Sequence, residues 1–537
     1  MAQKTSRHSR QLVWSAFLTI VAAIFLAGPR DRAACASHSV VIHLDRKVGL
    51  INPNIYGHFA EHLGNCIEEG IWVGEDSDIP HVRGIRTDVV EALRKIKPPV
   101  IRWPGGCFAD SYHWKDGIGP RENRPKRINV HWGRVTENNH FGTHEFIDFC
   151  RQVGAEPMIA ANVGSGTPQE MRDWLEYLNC AGNSTLTELR AQNGHPEPFD
   201  VRYVCIGNEN WGCGGSMDPV HYGRLYRQFS EYCHFPPEAG FYRVACGPSS
   251  AAYDWTRNLF KTLAGHEGNG RNRLGRVQAL DMHYYTGGKG RGTATEYTDD
   301  QWYSLLAKGL NIEEVALKHW QIMGEYDPGH SVKLAVCEWG AWHHVILGTN
   351  PRFLRQQNSM RDALLAALTL DIFNRHCDKI DMANIAQTIN VLQCMILTKG
   401  AKMLTTPTYH VFEMYVPHQG ADALECDVTT SQIQFKDNDQ DAALPQLAGS
   451  CSRKDNTVTL SMANTSTSEK AEVTVAFEGA KDVELKSWRV LAGDDIVAHN
   501  TFEKPSRVIP ALMTGGDPVN LTLLPASVNV LTYTIKE

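Results

Sequence analysis

Val201-Arg202-Tyr203-Val204-Cys205-Ile206-Gly207-Asn208-Glu209-Asn210-Trp211 is a short apolar run that stops at a glycine and then presents an amide, a carboxylate and an indole. A run of that length, closed by such residues, reads as a buried strand with a polar loop at its carboxyl end. Seven more runs of the kind occur, at 55–59, 100–103, 157–163, 243–246, 277–285, 333–339 and 380–386. Between several of them lie stretches with helical spacing. Phe146, Phe149, Cys150 and Val153 repeat so within 141–153, and 171–178 and the Ala/Leu-rich 360–376 behave alike, the last preceded by Asn358 and Ser359 as caps. Eight strands alternating with helices over residues 50–404 is the α/β pattern of a (β/α)8 TIM barrel.

After about residue 405 helical periodicity fades. Segments 457–462, 471–477, 483–490, 520–524 and 527–535 read as strands between polar turns, and Val458, Leu460 and Met462 fall on one face. This predicts a carboxyl-terminal all-β sandwich over 405–537. The strand-like run 40–44 is expected to add residues 37–49 to the same domain. Asp437-Asn438-Asp439-Gln440-Asp441 reads as a polar loop rather than a calcium site.

A chain of 537 residues suits two or three domains, and 42% hydrophobic with 21% charged residues is ordinary for a globular protein. With 53 Lys plus Arg against 60 Asp plus Glu, the net charge of −7 gives no basic footprint for nucleic acid. Residues 1–36 read as a signal peptide. Lys4, Arg7 and Arg10 precede an apolar run over 12–28, and Ala34-Cys35-Ala36 supplies small residues for cleavage. That run is short for a spanning helix, so the expectation is a secreted or periplasmic protein without stable membrane insertion. The 14 cysteines are scattered, with no Cys-x-x-Cys and no zinc spacing, and no His-Glu-x-x-His occurs. Cys205 and Cys337 sit in apolar runs and read as small buried hydrophobes. No metal and no cofactor is expected: the glycine pairs lack the Lys-Ser or Lys-Thr of a phosphate loop, Gly287-Gly288-Lys289-Gly290 reads as a plain loop, and no Gly-x-Ser-x-Gly elbow is present.

Barrel enzymes carry their chemistry where strands end. The fourth run ends in Gly207-Asn208-Glu209 and the seventh in Cys337-Glu338-Trp339. An arbitrary glutamate is more often a solvated loop acid, but two at strand ends, 129 residues apart (338 minus 209), can face each other across a closed barrel and flank a glycosidic bond. Such a pair needs one carboxyl protonated and the other ionised, and Arg102, ending the second run, is a candidate donor to the ionised one. Glu61 and His62 follow strand one, Trp103-Pro104-Gly105-Gly106 follows strand two, His283, Tyr284 and Tyr285 close strand six, and Asn384 and Gln387 lie at strand eight. A ring of donors and aromatic faces is what a saccharide requires.

Together Gly57-His58-Phe59-Ala60-Glu61-His62-Leu63-Gly64, Arg102-Trp103-Pro104-Gly105-Gly106, Asp116-Gly117-Ile118-Gly119-Pro120, Phe141-Gly142-Thr143-His144-Glu145-Phe146, Gly207-Asn208-Glu209, Glu338-Trp339 and Met382-Ala383-Asn384-Ile385-Ala386-Gln387, in that order, resemble the family 51 α-L-arabinofuranosidases. The resemblance implies a retaining glycosidase with a barrel and a jelly-roll-like β domain, no metal, and a homo-oligomer, often a hexamer. Its implied substrates are terminal α-L-arabinofuranosyl residues of arabinose-containing plant oligo- and polysaccharides. By position, Glu209 would be the general acid/base and Glu338 the nucleophile, steadied by Arg102. Glu61, Asn208, Tyr285 and Gln387 would hold the furanose, Trp132 and Trp342 would wall the site, and His283 would be a further active-site group. Cys107 stands where many members carry asparagine. A thiol pairs more weakly with a sugar than an amide does, so Cys107 either alters that subsite or pairs with a neighbour such as Cys66. Alternatives are a related barrel glycosidase acting on galactofuranosides, xylosides or β-glucans, and a non-catalytic carbohydrate-binding protein.

Overall fold

Along Val100–Trp103, Val100 points into the barrel with Met158, Tyr203 and Ala335, whereas Ile101 and Trp103 pack outward against helices. Arg102 shares the inward face, where it is buried. This period of two, repeated on the other strands, makes two cores at once, one inside the barrel and one between strands and helices. The eight parallel strands are Gly57–Phe59, Val100–Trp103, Glu156–Ala161, Tyr203–Ile206, Tyr242–Ala245, Ala279–Thr286, Lys333–Ala341 and Ile380–Ala386. The barrel closes with the eighth strand beside the first, Asn384 opposite Gly57. All eight runs read from the sequence are strands of this barrel. The computed structural model describes residues 38–237, 240–265, 272–287, 292–515 and 517–536. The segment read as an export signal and residues 288–290 of the glycine-rich loop lie outside these.

The helices form where apolar spacing and capping agree. Thr143–Val153 buries Phe146, Phe149, Cys150 and Val153 on one face, and the Glu145 carboxylate accepts the Gly142 N–H at 2.9 Å, satisfying an otherwise orphan donor. Met360–Arg375 has its interior buried nearly all round, because it lies between barrel and β domain. From it Asp371 accepts hydrogen bonds from Ser450 and Ser461, and Asn374 donates to Ser450 at 3.1 Å. Helix Pro407–Tyr415 follows the boundary read at residue 404, yet it packs on Met360–Arg375 and on Thr87–Ile96, so it belongs with the barrel's outer ring. Among the described residues no helix is long and apolar enough to cross a membrane.

The carboxyl-terminal sheet has nine strands, in the order Ala511–Leu512, Asp482–Ala492, Ser527–Lys536, Thr457–Asn464, Leu447–Lys454, Asp422–Thr429, His38–Leu50, Ala471–Glu478 and Asn520–Leu523. Trp488 and Val490 near one end of that order share a core with Val473, Leu521 and Leu523 near the other. The sheet therefore folds over on itself as a sandwich. His38–Leu50 pairs antiparallel with Asp422–Thr429 and parallel with Ala471–Glu478, so the first described strand is built into the last domain. The acidic stretch 437–441 spans the turn of a hairpin, Gln432–Asp437 with Gln440–Pro445.

Candidate active site

Strand six, Ala279–Thr286, sends Ala279, Asp281, His283 and Tyr285 to the interior at a period of two. Strand seven does not keep that period. Ala335 and Cys337 face inward, but so does Glu338, while Trp339 packs outward against Phe373 and Phe412. The register explains the change. Ala335 lies opposite Asp281 but Glu338 opposite His283, and Val336 lies opposite Ala383 but Trp339 opposite Ile385. One extra residue on strand seven, a bulge against both neighbours, turns Glu338 from the helix side to the barrel mouth.

Glu209 reaches the same mouth by a different device. Strand four ends at Ile206, and Gly207 turns the chain at φ +87°, where a side chain would also collide with the Asn210 amide. Glu209 itself takes φ +42°, a conformation that costs a non-glycine residue about 1–3 kcal/mol. Gly212 and Gly214 hold it there by donating to its carbonyl at 2.7 and 3.1 Å.

The two carboxylates then meet. Oxygens of Glu209 and Glu338 and a ring nitrogen of His283 all lie within 4.8 Å of one another. Their surroundings differ. Glu338 receives Arg102 Nη2 at 2.5 Å and the Tyr285 hydroxyl at 2.8 Å. Arg102 is fixed in turn, donating to the Gly105 carbonyl at 3.0 Å and to Asn208 at 3.1 Å, with Phe59 stacked 4.1 Å from its guanidinium. Burial pushes the Glu338 carboxyl above its ordinary value, and Glu209 adds to that, while His283 and Arg102 oppose it. Against its own burial, the charge of Glu338 holds Arg102 above the usual guanidinium range. These two tendencies disagree about the pair. The guanidinium keeps its proton at any working pH, and a neutral Glu338 would leave it buried without a counter-ion, so the charged pair prevails near neutrality.

His283 binds the two glutamates together. Its Nδ1 lies 2.9 Å from Glu209 Oε1 and 3.4 Å from Glu338 Oε2, and its Nε2 lies 2.8 Å from Asp281. Burial alone would lower the imidazole, but Asp281, Glu338 and the hydrogen bond to Glu209 outweigh it and hold it well above its ordinary value. With both nitrogens facing carboxylates the ring is a cation. Asp281 also accepts the Cys337 N–H at 2.9 Å, tying strands six and seven at the bulge.

Glu61 stands across the mouth. It accepts Phe108 N at 2.9 Å and Trp132 Nε1 at 2.8 Å on one oxygen and Gln387 Nε2 at 3.0 Å on the other. Burial and Glu338 push it up to about 7 despite those three donors. Gly106 makes room for it: a Cβ there would lie 2.5 Å from Glu61 Oε2. Trp342 sets its ring 5.2 Å from Tyr285, edge to face. Asn208 Nδ2 and Gln387 Oε1 are buried and have no hydrogen-bond partner among the described residues.

Glu61, Arg102, Trp132, Asn208, Glu209, His283, Tyr285, Glu338, Trp342 and Gln387 thus gather at one end of the barrel. Cys107 is there too, paired with another cysteine as one of the two sequence alternatives had it, but not with Cys66. It is bonded to Cys213, with Cα atoms 5.5 Å apart, and Cys66 is a buried free thiol. The turn that folds back on Glu209 carries Cys213 to the loop after strand two, where it meets Cys107. His62 turns away from the mouth, its Nε2 accepting Trp103 Nε1 at 3.2 Å and its Nδ1 lying 3.5 Å from Glu137. Two buried acids went unread. Asp281 lies two residues before His283 and four before Tyr285, a spacing that alternation exposes. Asp110 accepts Asn208 N at 3.0 Å, and burial pushes it up to about 7.

Two sequence profiles match this chain, one described as the α-L-arabinofuranosidase 1 domain over residues 92–302, the other as the α-L-arabinofuranosidase C-terminal domain over residues 338–527. An intracellular exo-α-L-arabinofuranosidase of Bacteroides ovatus is 43% identical over 92% of this chain and 94% of its own length. The chain belongs to glycoside hydrolase family 51. It is a retaining α-L-arabinofuranosidase. The family 51 arabinofuranosidase of Xanthomonas axonopodis pv. citri superposes with a TM-score of 0.88 at 40% identity, covering 93% of this chain and all of that one. The Thermotoga maritima α-L-arabinofuranosidase, solved as an arabinose complex, gives 0.81 at 30% identity over 92% and 99% of the two chains. For an arabinofuranosidase that works by retention, a carboxylate pair about 5 Å apart is the required spacing, since inversion needs about 6.5–9.5 Å to admit water between acid and base.

Proposed function

We propose that Glu338 is the nucleophile and Glu209 the general acid/base in hydrolysis of terminal, non-reducing α-L-arabinofuranosyl residues from arabinose-bearing plant oligo- and polysaccharides. The observation that carries this is one short gap with unequal walls: Glu338 is locked by Arg102 and Tyr285, whereas Glu209 is more open. The Glu209 side chain keeps 18% exposure against 6% for Glu338, which suits the group that must meet leaving group and water.

In the first step a Glu338 oxygen attacks the anomeric carbon while Glu209 gives its proton to the departing oxygen. In the second, Glu209 takes a proton from water, which displaces Glu338 and releases arabinose with its configuration retained. Arg102 and Tyr285 aim the nucleophile. His283, held cationic by Asp281, sits between the two acids and offsets the negative charge that passes between them. Asn208 Nδ2 and Gln387 Oε1 fit ring hydroxyls, and Glu61 closes the far side. Trp132 and Trp342 supply flat apolar faces.

Chromatography of digests of branched arabinan and arabinoxylan tests this reading. Arabinose is the expected sole product from both. A ladder of arabino-oligosaccharides means internal cleavage instead, and faster turnover of an aryl galactofuranoside or xyloside than of the aryl arabinofuranoside moves the substrate assignment.

We also propose that the chain is exported through residues 1–36 and assembles as a homo-oligomer. The basic start and the apolar run support the first. Ile128, Val130 and Leu347, exposed on the loops after strands two and seven, support the second. Amino-terminal sequencing of material from the producing cell and its mass by light scattering check both. An intact Met1 in the cytoplasm, or a monomer, defeats the respective half.

A further inference from the structure

The surface facing one edge of Glu209 is sulfur. Cys107 opens the short 3-10 turn Cys107–Ser111, and Cys213 lies in the turn after Glu209, 106 residues on. Their sulfurs approach Glu209 Oε2 at 3.9 and 3.5 Å. A disulfide sulfur carries no hydrogen, so neither contact is a hydrogen bond. Oε1, in contrast, faces His283 Nδ1 at 2.9 Å. Among the described residues no N–H or O–H reaches Oε2. The carboxyl therefore has one edge turned to the imidazole and one edge facing sulfur without a donor, and the second is the edge free to bear a transferable proton.

The same two sulfurs are poised to change sides. Both cysteines are half-buried and so within reach of a soluble dithiol. One dithiol reduces the bridge by exchange: its first thiolate attacks one sulfur, its second closes the reductant's own disulfide, and Cys107 and Cys213 each take up a proton. Two S–H groups then stand where two bare sulfurs stood.

We propose that the Cys107–Cys213 disulfide positions the proton-donating edge of Glu209 by keeping Oε2 free of donors, and that its reduction turns both sulfurs into donors to that oxygen and impairs Glu209 as an acid. The proposal rests on the assignment of Glu209 as acid/base. Donors to a carboxylate favour its charged form, so the reduced enzyme loses its acid at lower pH, and the alkaline limb of the activity profile moves down. The other groups facing Glu209 are His283 and Tyr285 from strand six, Glu338 from strand seven and Cys246 after strand five, with Arg102 behind Asn208 and Glu338. None of them changes covalently on reduction.

The test compares pH profiles of kcat/KM on methyl α-L-arabinofuranoside, which needs acid assistance, for native enzyme before and after dithiothreitol. A thiol titration confirms that two additional thiols have appeared. The alkaline limb is expected to fall by roughly half a pH unit or more on reduction, about a threefold loss on that limb. The donor-free double variant Cys107→Ala with Cys213→Ala is expected to show no such fall with or without dithiol; Cys107→Ala with Cys213→Val replaces it should the first not fold. An unmoved limb in the reduced native enzyme overturns the proposal, and so does an equal fall in the donor-free variant, which assigns the effect to the lost tether. Glu209→Ala, assayed on good and poor leaving groups, separates the two levels. If its loss depends on the leaving group while the limb stays put, only the role of the disulfide falls; if it does not, the assignment of Glu209 falls as well.

Discussion

Glu338→Ala is expected to cut kcat on 4-nitrophenyl α-L-arabinofuranoside by about 10⁴-fold or more, roughly 5 kcal/mol at 1.36 kcal/mol per decade. The loss is large because the residue supplies a bond, and no neighbour stands in for it. Arg102 and Tyr285 donate to Glu338, and a donor cannot attack an anomeric carbon. Small anions should restore turnover. The deleted carboxylate leaves a gap lined by the Arg102 guanidinium and the imidazolium of His283, both suited to an anion. Azide placed there attacks the face that Glu338 used and gives the β-configured arabinofuranosyl azide. The variant also strands a buried guanidinium, a change that costs about 3–5 kcal/mol where an ion pair is broken on one side. A thermal melt with and without azide separates unfolding from lost chemistry, and Glu338→Gln, which keeps the volume, should be equally inactive. Turnover near that of the native enzyme in a folded Glu338→Ala variant removes the residue from its role.

What the sequence shows of this site depends on how local each determinant is. The barrel was legible because a parallel strand covered on both sides must be apolar over its whole length, and eight such runs are hard to produce otherwise. Glu338 was legible as a strand-end acid, but its direction was not. Strict alternation puts it with Val336, on the helix side, and only the extra residue in strand seven turns it inward. A bulge depends on two neighbouring strands, and neither lies near it in sequence. The disulfide is hidden for a similar reason, since Cys107 and Cys213 become neighbours only after strands two and four are set in a closed barrel. In the β domain, Gln432–Asp437 and Gln440–Pro445 escaped because only Phe435 and Leu444 among their side chains are buried. Leu447–Lys454 escaped for the opposite reason. It is buried but carries Ser450 and Ser452, whose hydroxyls bond to Asp371 and His418, so a core strand reads as a polar loop. Asp281 had a visible signal, the i, i+2, i+4 set with His283 and Tyr285, but a buried acid beside a histidine is read as a site only once the strand's inward face is known.

Glu209→Ala should behave unlike the nucleophile variant, and the contrast is the stronger test of the pair. Its kcat on 4-nitrophenyl α-L-arabinofuranoside is expected to fall by about 10²- to 10⁴-fold, the usual worth of a general acid/base. The two steps are not hit equally. Nitrophenolate departs with little protonation, so Glu338 still forms the glycosyl-enzyme, while water then lacks a base and the intermediate accumulates. KM should therefore fall along with kcat, and a burst of nitrophenol should precede slow turnover. On methyl α-L-arabinofuranoside, whose alkoxide is a poor leaving group, the first step fails and the loss is larger. Azide needs no base. It enters from the Glu209 side, on the face opposite Glu338, and gives the α-configured azide. The two variants thus yield opposite anomers from one substrate, because the two carboxylates stand on opposite faces of the same bond and not merely near each other. If both variants give the same anomer, or if Glu209→Ala loses equally on both leaving groups, the acid/base assignment is wrong even though the residues lie within one site.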